Sequence, residues 1–459
     1  MIEKVIKGGY CIGCGACAAF NDDYKIRENE LGLYEASFPQ TGHDNAASEV
    51  CPFSSEHNED QISGTLFKEE SHFDKRIGNY KEIFAGHVVE NSFRSEGSSG
   101  GLVTWVLIEL LRLKMIDGVI HVGSSGESNQ LFKYVISETA AEIKANSKSR
   151  YYPVHFDKVI HEIRNNNKRY AFVGVPCFVK AMRLLMENDQ EINNRIKFCI
   201  AIFCGHLKSK AFAEMVGWQQ NIEPRYLAGI NFRVKDNKRP PSHYSVQVTK
   251  RISTQECIQY EPILARELFG MDWGVGFFRP KACDWCDDIA GEVADLACGD
   301  AWLPEFAGDS GGTNITVVRN KDIQQILSAG ITLSKLKIKS QTADDVYQSQ
   351  EGNYRHRQEG LSMRISSAES KGLWHPKKRI TKNTFSISHD RQNIYHLRSK
   401  ISETSHRAFL QAKKNNNFLY FMAKMTPMEL HYAFLNKRLL KGFLKTTYYF
   451  IRYFQRKYK

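Results

Sequence analysis

The chain has 459 residues, of which 42% are hydrophobic, and its formal net charge is +12. This length predicts two to four domains, and the cysteines, an odd eleven, do not suggest a disulfide framework. Because several of them stand in C-x2-C pairs, no signal peptide precedes them, and no uncharged apolar run reaches the ~20 residues of a membrane span, we expect a cytoplasmic protein.

The first motif is a C-x2-C-x2-C run followed by a remote Cys-Pro. Its four thiols are Cys11, Cys14, Cys17 and Cys51. This is the ligand set of a ferredoxin-type 4Fe-4S cluster, and the two glycines inside the run tolerate the positive φ of a tight wrap. A structural zinc knot is the alternative, although zinc more often uses paired C-x2-C knuckles. Residues 1–55 are therefore predicted to form a small ferredoxin-like module.

Residues 56–80 are polar and charged and are interpreted as a linker. From residue 81, short apolar runs alternate with amphipathic stretches, which predicts an α/β domain over 81–400. We expect strands at 83–89, 119–122, 170–173, 198–203 and 317–318, a helix at 102–113, and β structure over 225–260.

A second group of cysteines falls where ligands gather in α/β proteins. Cys177 and Cys204 each follow an apolar run, and Cys283 and Cys286 form a C-x2-C. Since the carboxyl ends of parallel strands meet at one edge of a sheet, these four thiols could meet there and hold a second 4Fe-4S cluster. Zinc or a redox-active dithiol are the alternatives for the C-x2-C pair.

A glycine-serine turn precedes the predicted helix at 102–113. It consists of Ser98, Ser99, Gly100 and Gly101, with Arg94 nearby. Exposed amides, hydroxyls and a helix N-terminus make a phosphate site, and a flavin phosphate would suit a redox protein. A turn without a ligand is the plainer interpretation.

Taken in order, these motifs resemble the beta subunit of coenzyme F-420 hydrogenase/dehydrogenase, a family of iron-sulfur flavoproteins. The motifs that carry the resemblance are the Cys11–Cys17 run, Ser98–Gly101, Gly174–Cys177, Phe203–His206, Cys283–Cys286 and Ala294–Trp302. The resemblance implies FAD at the Ser98–Gly101 turn and an inner cluster held by the second cysteine group. Trp374–Pro376 and Ile401–His406 resemble members associated with bacterial polysaccharide biosynthesis.

The predicted function is an oxidoreductase that passes electrons from reduced ferredoxin or a similar donor through two 4Fe-4S clusters to FAD. The final acceptor is an unknown small-molecule or glycan-pathway substrate. The alternatives are an electron-transfer subunit without its own substrate site and a metal-stabilised, non-redox binding module. No catalytic residue is assigned: His87, His121 and His206 are candidates for a proton donor by type only, and Asp300 is interpreted either as a hydrogen-bond partner of a cofactor or as a capping or turn residue. No nucleic-acid motif is present.

Residues 401–459 form a basic, aromatic stretch that is predicted to be helical. It carries twelve Lys and Arg against two Glu, so most of the net charge of the chain lies here. Either an amphipathic helix on an anionic membrane at the inner face or a basic helix packed on the core or a partner accounts for this composition.

Overall fold

The computed structural model describes residues 1–37, 46–68 and 72–458. Within them the α-helices are α1 Ile2–Lys7, α2 Ala16–Phe20, α3 Glu59–Leu66, α4 Phe93–Glu96, α5 Leu102–Arg112, α6 Ala140–Ala145, α7 Asp157–Arg164, α8 Pro176–Asn188, α9 Gln190–Arg195, α10 Lys210–Trp218, α11 Lys321–Thr332, α12 Ala343–Ser349, α13 Glu351–Arg357, α14 Glu359–Ser370, α15 His389–Lys414, α16 Phe418–Leu435 and α17 Leu439–Lys457. The strands are β1 Lys25–Glu28, β2 Tyr34–Ser37, β3 His72–Asp74, β4 Gly78–Tyr80, β5 Glu82–Val88, β6 Gly118–Ser124, β7 Phe132–Ser137, β8 Tyr170–Gly174, β9 Ile196–Ile202, β10 Leu227–Val234, β11 Ser245–Arg251, β12 Cys257–Gln259, β13 Ile263–Leu264, β14 Leu296–Asp300, β15 Asn314–Val318 and β16 Leu336–Ser340.

The centre of the fold is an eight-stranded mixed sheet of order β16-β5-β15-β14-β9-β8-β6-β7. β6, β8, β9 and β14 are parallel neighbours, whereas β7, β15, β5 and β16 pair antiparallel. The carboxyl ends of the parallel strands therefore share one edge of the sheet, where ligands bind in open α/β folds. The predicted α/β fold is confirmed, and each predicted strand and the helix at 102–113 is present.

Alternating side chains of the central strands build a core on each face of the sheet. In β8, Tyr170 and Phe172 pack on the α7 and α8 side, whereas Ala171 packs on the α5 and α11 side. This alternation follows from the period of two in a β-strand. Helices cover both faces of the sheet, so a ligand can reach the parallel strands at the edge where they end.

The N-terminal segment is attached to the α/β domain through its cysteine loop. The N–H of Phe156 donates to the carbonyl of Cys14 at 2.9 Å, and Arg164 Nη2 donates to the carbonyl of Ala19 at 3.1 Å. The stretch interpreted as a linker, 56–80, contains α3, which Asn58 caps, and the β3–β4 hairpin. Part of that stretch, 69–71, lies outside the described residues.

The C-terminal region is helical, as the composition predicts, and packs on the domain. α15 runs unbroken through residue 401, where the sequence suggests a boundary. Phe421 of α16 stacks on Phe278 with ring centroids 5.5 Å apart, and α17 buries Tyr449 and Tyr453. Among the described residues, no helix is long and apolar enough to cross a membrane.

Candidate functional site

The four N-terminal cysteines stand around one small cavity. Cys11, Cys14, Cys17 and Cys51 all line it. The tight wrap depends on two glycines, because Gly13 and Gly15 have φ of 63° and 93°. The N–H groups of Gly13 and Ala36 each lie 3.4 Å from Cys11 Sγ, so backbone donors already point at this thiol.

The second group of cysteines stands around a neighbouring cavity at the edge of the sheet. Its four thiols are Cys177, Cys204, Cys283 and Cys286. Cys177 lies in the first turn of α8 and Cys204 follows β9, whereas Cys283 belongs to a 3-10 helix at Lys281–Trp285. The N–H of Leu207 donates to Cys283 Sγ at 3.3 Å. Segments far apart in sequence are thus brought together as the strand-end argument predicts.

Burial raises the pKa of a thiol in each group. Burial, with repulsion from Cys51, raises the pKa of Cys11 to about 11. Burial, with repulsion from Cys204, raises the pKa of Cys283 to about 12. Thiolates are the form of cysteine that binds metal, so binding of metal in either cavity would release protons. The positive charge of the metal would then stabilise the buried thiolates.

A buried arginine lies against the second group, and sequence reasoning missed it. Arg357 of α13 lines the cavity and is 2% exposed. Its Nη2 donates to the carbonyl of Gly205 at 2.9 Å. Burial opposes its charge, but the neighbouring Cys286, Cys204 and Cys283 outweigh this effect and raise the pKa of Arg357. The guanidinium therefore offsets negative charge on these sulfurs.

The cysteines line cavities and do not converge on a point. Among the described residues, no three His, Cys, Asp or Glu side chains are grouped so as to hold a single metal ion. A zinc site draws its sulfurs to about 2.3 Å from one ion, whereas a 4Fe-4S cluster is a larger group held at its corners by four thiolates.

A third cavity, of about 320 Å³, opens beside both cysteine groups and is lined by the glycine-serine turn. Ser98, Ser99 and Gly101 line it. Gly101 caps α5 with φ 86°. Ser98 Oγ accepts from the N–H of Ser149 at 2.8 Å, which leaves its O–H free to donate, whereas Ser99 Oγ donates to the carbonyl of Thr313.

Two residues predicted for this site do not line the cavity. Gly100 packs behind the turn, where a Cβ would meet the carbonyl of Gly86 at 2.6 Å. Arg94 is not among the described lining residues either: its Nε and Nη2 donate to the carbonyl of Gly312 at 3.1 and 3.0 Å, and it pairs with Asp309. Arg94 thus holds the 309–312 loop against the turn.

Two cations other than Arg94 face the cavity, and both belong to the loop after α6. Lys148 and Arg150 line it. The Nε of Arg150 is buried without a hydrogen-bond partner, and burial lowers the pKa of Arg150 to about 10. The guanidinium lies over the ring of Phe132, 5.0 Å from its centroid, and its Nη groups, which are not buried, can donate to an anionic ligand in the cavity.

The other candidate side chains take different positions. His121 and His206 line the third cavity, as does Asp300, which accepts from Arg233 Nη1 at 2.6 Å. Burial lowers the pKa of His121 to about 4, and its Nε2 lies 2.9 Å from Ser137 Oγ. His87 is not among the described residues that line this cavity.

Fold and cavities together define an α/β protein with two cysteine-lined cavities beside a third, larger cavity. Two models of one family match the chain, both for the beta subunit of coenzyme F420 hydrogenase/dehydrogenase: the N-terminal model matches residues 83–161, and the C-terminal model matches residues 167–344. Together they match more than half of the chain. The chain belongs to the coenzyme F420 hydrogenase/dehydrogenase beta-subunit family, as its motifs predict.

The proteins that are similar to this chain include two named relatives and a solved structure. The F subunit of F(420)H(2) dehydrogenase from Methanosarcina mazei is 26% identical over 44% of this chain and 55% of its own length. Coenzyme F420-dependent sulfite reductase of Methanocaldococcus jannaschii is 23% identical over 44% of this chain and 32% of its own length. A chain of the F420-reducing [NiFe] hydrogenase complex from Methanosarcina barkeri shares the fold, with a TM-score of 0.50 and 17% identity, over 66% of this chain and 99% of that chain. The alignments thus span about half and one third of the two named relatives.

Proposed function

We propose that this chain is an iron-sulfur flavoprotein oxidoreductase. It takes electrons from a ferredoxin-type donor through two 4Fe-4S clusters to FAD, and on to a substrate of glycan assembly. One observation carries the proposal: Ile12 lines the cavities of both cysteine groups and also the third cavity. A single side chain thus touches all three sites, so groups bound there would be near neighbours.

The residues present fit the proposed groups. Each cysteine cavity supplies four thiols, and Arg357 adds a buried positive charge at the inner one. At the third cavity the N-terminus of α5, the hydroxyl of Ser98 and the guanidinium of Arg150 would hold a pyrophosphate. When bound, clusters supply one-electron transfer and a flavin supplies two-electron chemistry. The protein's part is to bind, orient and bury these groups.

An electron-transfer subunit without its own substrate site is the second candidate, favoured by the relative that is named as one subunit of a dehydrogenase. The test is reduction of the bound flavin by reduced ferredoxin in a stopped-flow experiment. We expect Cys14→Ser to abolish reduction by ferredoxin while dithionite still reduces the flavin, and Cys257→Ser, at an exposed cysteine in β12, to behave as wild type. Equal rates in all three proteins would overturn the proposal. Turnover only with a second protein added would favour the electron-transfer role.

We also propose that α17 rests on an anionic membrane surface. Tyr449 and Tyr453 hold one face of α17 on the core. The opposite face exposes apolar side chains at helical spacing: Leu440, Phe443, Leu444, Tyr448, Ile451, Phe454 and Tyr458. Lys441 and Lys457 are exposed and flank this face, whereas Lys445 and Arg452 pair with Asp272 and Glu267 on the core side. An exposed apolar face beside a basic flank is the pattern of interfacial helices.

A further inference from the structure

A large cleft adjoins the third cavity, and none of its described lining residues is a cysteine. Its volume is about 850 Å³, within the range of small-molecule sites. His206, Trp273 and Asp300 line both the cleft and the third cavity. His206 and Trp273 have ring centroids 4.7 Å apart, so these rings form the partition between the two spaces. A molecule in the cleft would therefore lie next to a group in the third cavity.

The C-terminal helices build much of this cleft. Arg391 and Arg398 come from α15, Tyr432 from α16, and Lys445 and Tyr449 from α17. All of these residues lie beyond residue 344, where the family match ends. The cleft is thus shaped by parts of the chain that the family models do not describe, and its ligand need not be the deazaflavin coenzyme.

The charges that line the cleft are predominantly positive. Its cations are Arg233, Arg266, Arg355, Arg391, Arg398 and Lys445, against the three carboxylates Asp272, Asp300 and Glu351. Each of these carboxylates is already paired: Asp300 with Arg233, Glu351 with Arg355, and Asp272 with Lys445. Of the remaining arginines, Arg391 pairs with Glu359 outside the cleft, whereas Arg266 and Arg398 make no ion pair with a described carboxylate.

Arg398 is the least satisfied of these arginines. Among the described residues it makes no side-chain hydrogen bond or ion pair, and its Nε is buried without a partner. Burial and the nearby Arg279 lower the pKa of Arg398 to about 10, so it remains charged at neutral pH. The two Nη groups of Arg398 are not buried, so an anionic ligand in the cleft can accept charge-assisted hydrogen bonds from them.

The rest of the lining combines aromatic faces with neutral polar groups. Trp273, Trp302 and Tyr244 contribute rings, and Gln350, Asn353 and Asn436 contribute amides. Amides donate and accept hydrogen bonds, as the hydroxyls of a sugar require, while an aromatic face covers the apolar side of a sugar ring. Together with Arg398, this lining has the chemistry of a charged carbohydrate site.

We propose that the cleft binds a sugar that carries a phosphate or diphosphate group, with Arg398 as a direct ligand of the anion. This inference rests on the proposed function, since it names the substrate class that would be reduced beside the flavin. The inference assigns the cleft-lining residues of α15, α16 and α17 to substrate binding.

The test is isothermal titration calorimetry of the full chain with glucose 6-phosphate, UDP-glucose and glucose. We expect one of the two phosphorylated probes to bind and glucose to bind much more weakly. Arg398→Met should weaken binding about tenfold or more, because a charge-assisted contact is lost. Arg407→Met is the matched control, since Arg407 is exposed on the same helix, and it should change nothing.

A second variant covers the case in which Arg398→Met does not fold. Trp302 is 41% exposed, so Trp302→Ala should fold and should also weaken the binding of the phosphorylated probe. Binding of neither probe, or binding unaffected by both variants, would overturn the inference. Calorimetry needs no electron transfer, so failure of the probes to bind would refute the cleft inference and leave the redox proposal standing. A protein that lacks iron but binds a probe would refute the redox proposal alone.

Discussion

Ile12 and Phe53 together separate the two cysteine-lined cavities, because both side chains line both cavities. Burial and the thiols of its own group raise the pKa of Cys177, and the groups are near enough that Cys14 adds to this rise. Two clusters bound there would be divided by little more than an isoleucine and a phenylalanine. The N-terminal segment and the α/β domain would then form one continuous electron route.

Replacing Arg357 should make the inner cluster harder to reduce. Reduction adds a negative charge, and Arg357 is a buried cation in that cavity. We expect Arg357→Met to lower the midpoint potential of one cluster by roughly 60–120 mV, a factor of ten to a hundred in the one-electron equilibrium. Redox titration followed by EPR measures this. Arg355→Met, on the same helix and paired with Glu351, should leave the potential unchanged, and an equal shift in both variants would refute the assignment.

A methyl group at Gly101 should expel the flavin. Gly101 has φ 86°, and a Cβ there would lie 2.6 Å from the carbonyl of Phe93. We expect Gly101→Ala to lower stability by about 1–2 kcal/mol and to distort the turn that lines the cavity. The measurement is the flavin-to-protein ratio after purification.

Gly126 provides the control for this change. Its φ is 70°, but a Cβ there would meet nothing within 4 Å. Gly126→Ala should therefore bear a similar backbone cost and keep its flavin. Retention of flavin by Gly101→Ala would show that the turn is not part of the site.

The buried carboxyl of Glu429 should make stability depend on pH. Burial raises the pKa of Glu429 from 4.5 to about 7, with Lys445 opposing this shift and Asp272 adding to it. A carboxyl with a raised folded pKa is fully stabilising below the unfolded pKa and loses that contribution as pH rises through the folded pKa. Glu429→Gln should match wild type at pH 4.5 and exceed it by up to about 3 kcal/mol above pH 7.

Thermal unfolding midpoints of the two proteins across this pH range measure the effect. Glu403→Gln is the control, because Glu403 is an exposed carboxylate paired with Arg407, and it should shift stability by less than about 1 kcal/mol. A difference between Glu429→Gln and wild type that is constant from pH 4.5 to 8 would contradict the prediction.

The exposed face of α17 should be needed for membrane contact. We expect the double variant Leu440→Ser/Leu444→Ser to co-sediment less with phosphatidylglycerol vesicles, since these side chains are 75% and 66% exposed. Leu333→Ser, which removes a leucine that is 64% exposed at the end of α11, is the control and should bind as wild type. Equal sedimentation of all three proteins would remove the membrane proposal.

Local patterns in the sequence account for most of the fold that could be predicted. Apolar runs such as 170–173 form strands in the middle of the sheet, where helices bury both faces. The helix α3 was missed although Asn58 and Gln61 form a capping box in the structure. An Asn followed three residues later by a Gln indicates a helix N-terminus, but the many charged residues around it favour a linker.

Some residues of the candidate site could likewise be predicted from the sequence and others could not. Cysteines are visible in sequence because their spacing is local, and strand ends explain why the second group meets. Arg357 and Arg150 could not be found, since their roles depend on contacts between distant segments. Arg94 shows the converse: a basic residue beside the turn was expected to face a phosphate, but Asp309, 215 residues further on, pairs with it.

The most direct measurement of the central claim is iron, sulfide and flavin content of protein purified without oxygen, with EPR after dithionite. We expect about eight irons and about eight sulfides for each chain. We also expect about half of each in Cys14→Ser and in Cys283→Ser, and no change in Cys257→Ser. Colourless wild-type protein without sulfide or an EPR signal, or cysteine variants with undiminished iron, would contradict the claim.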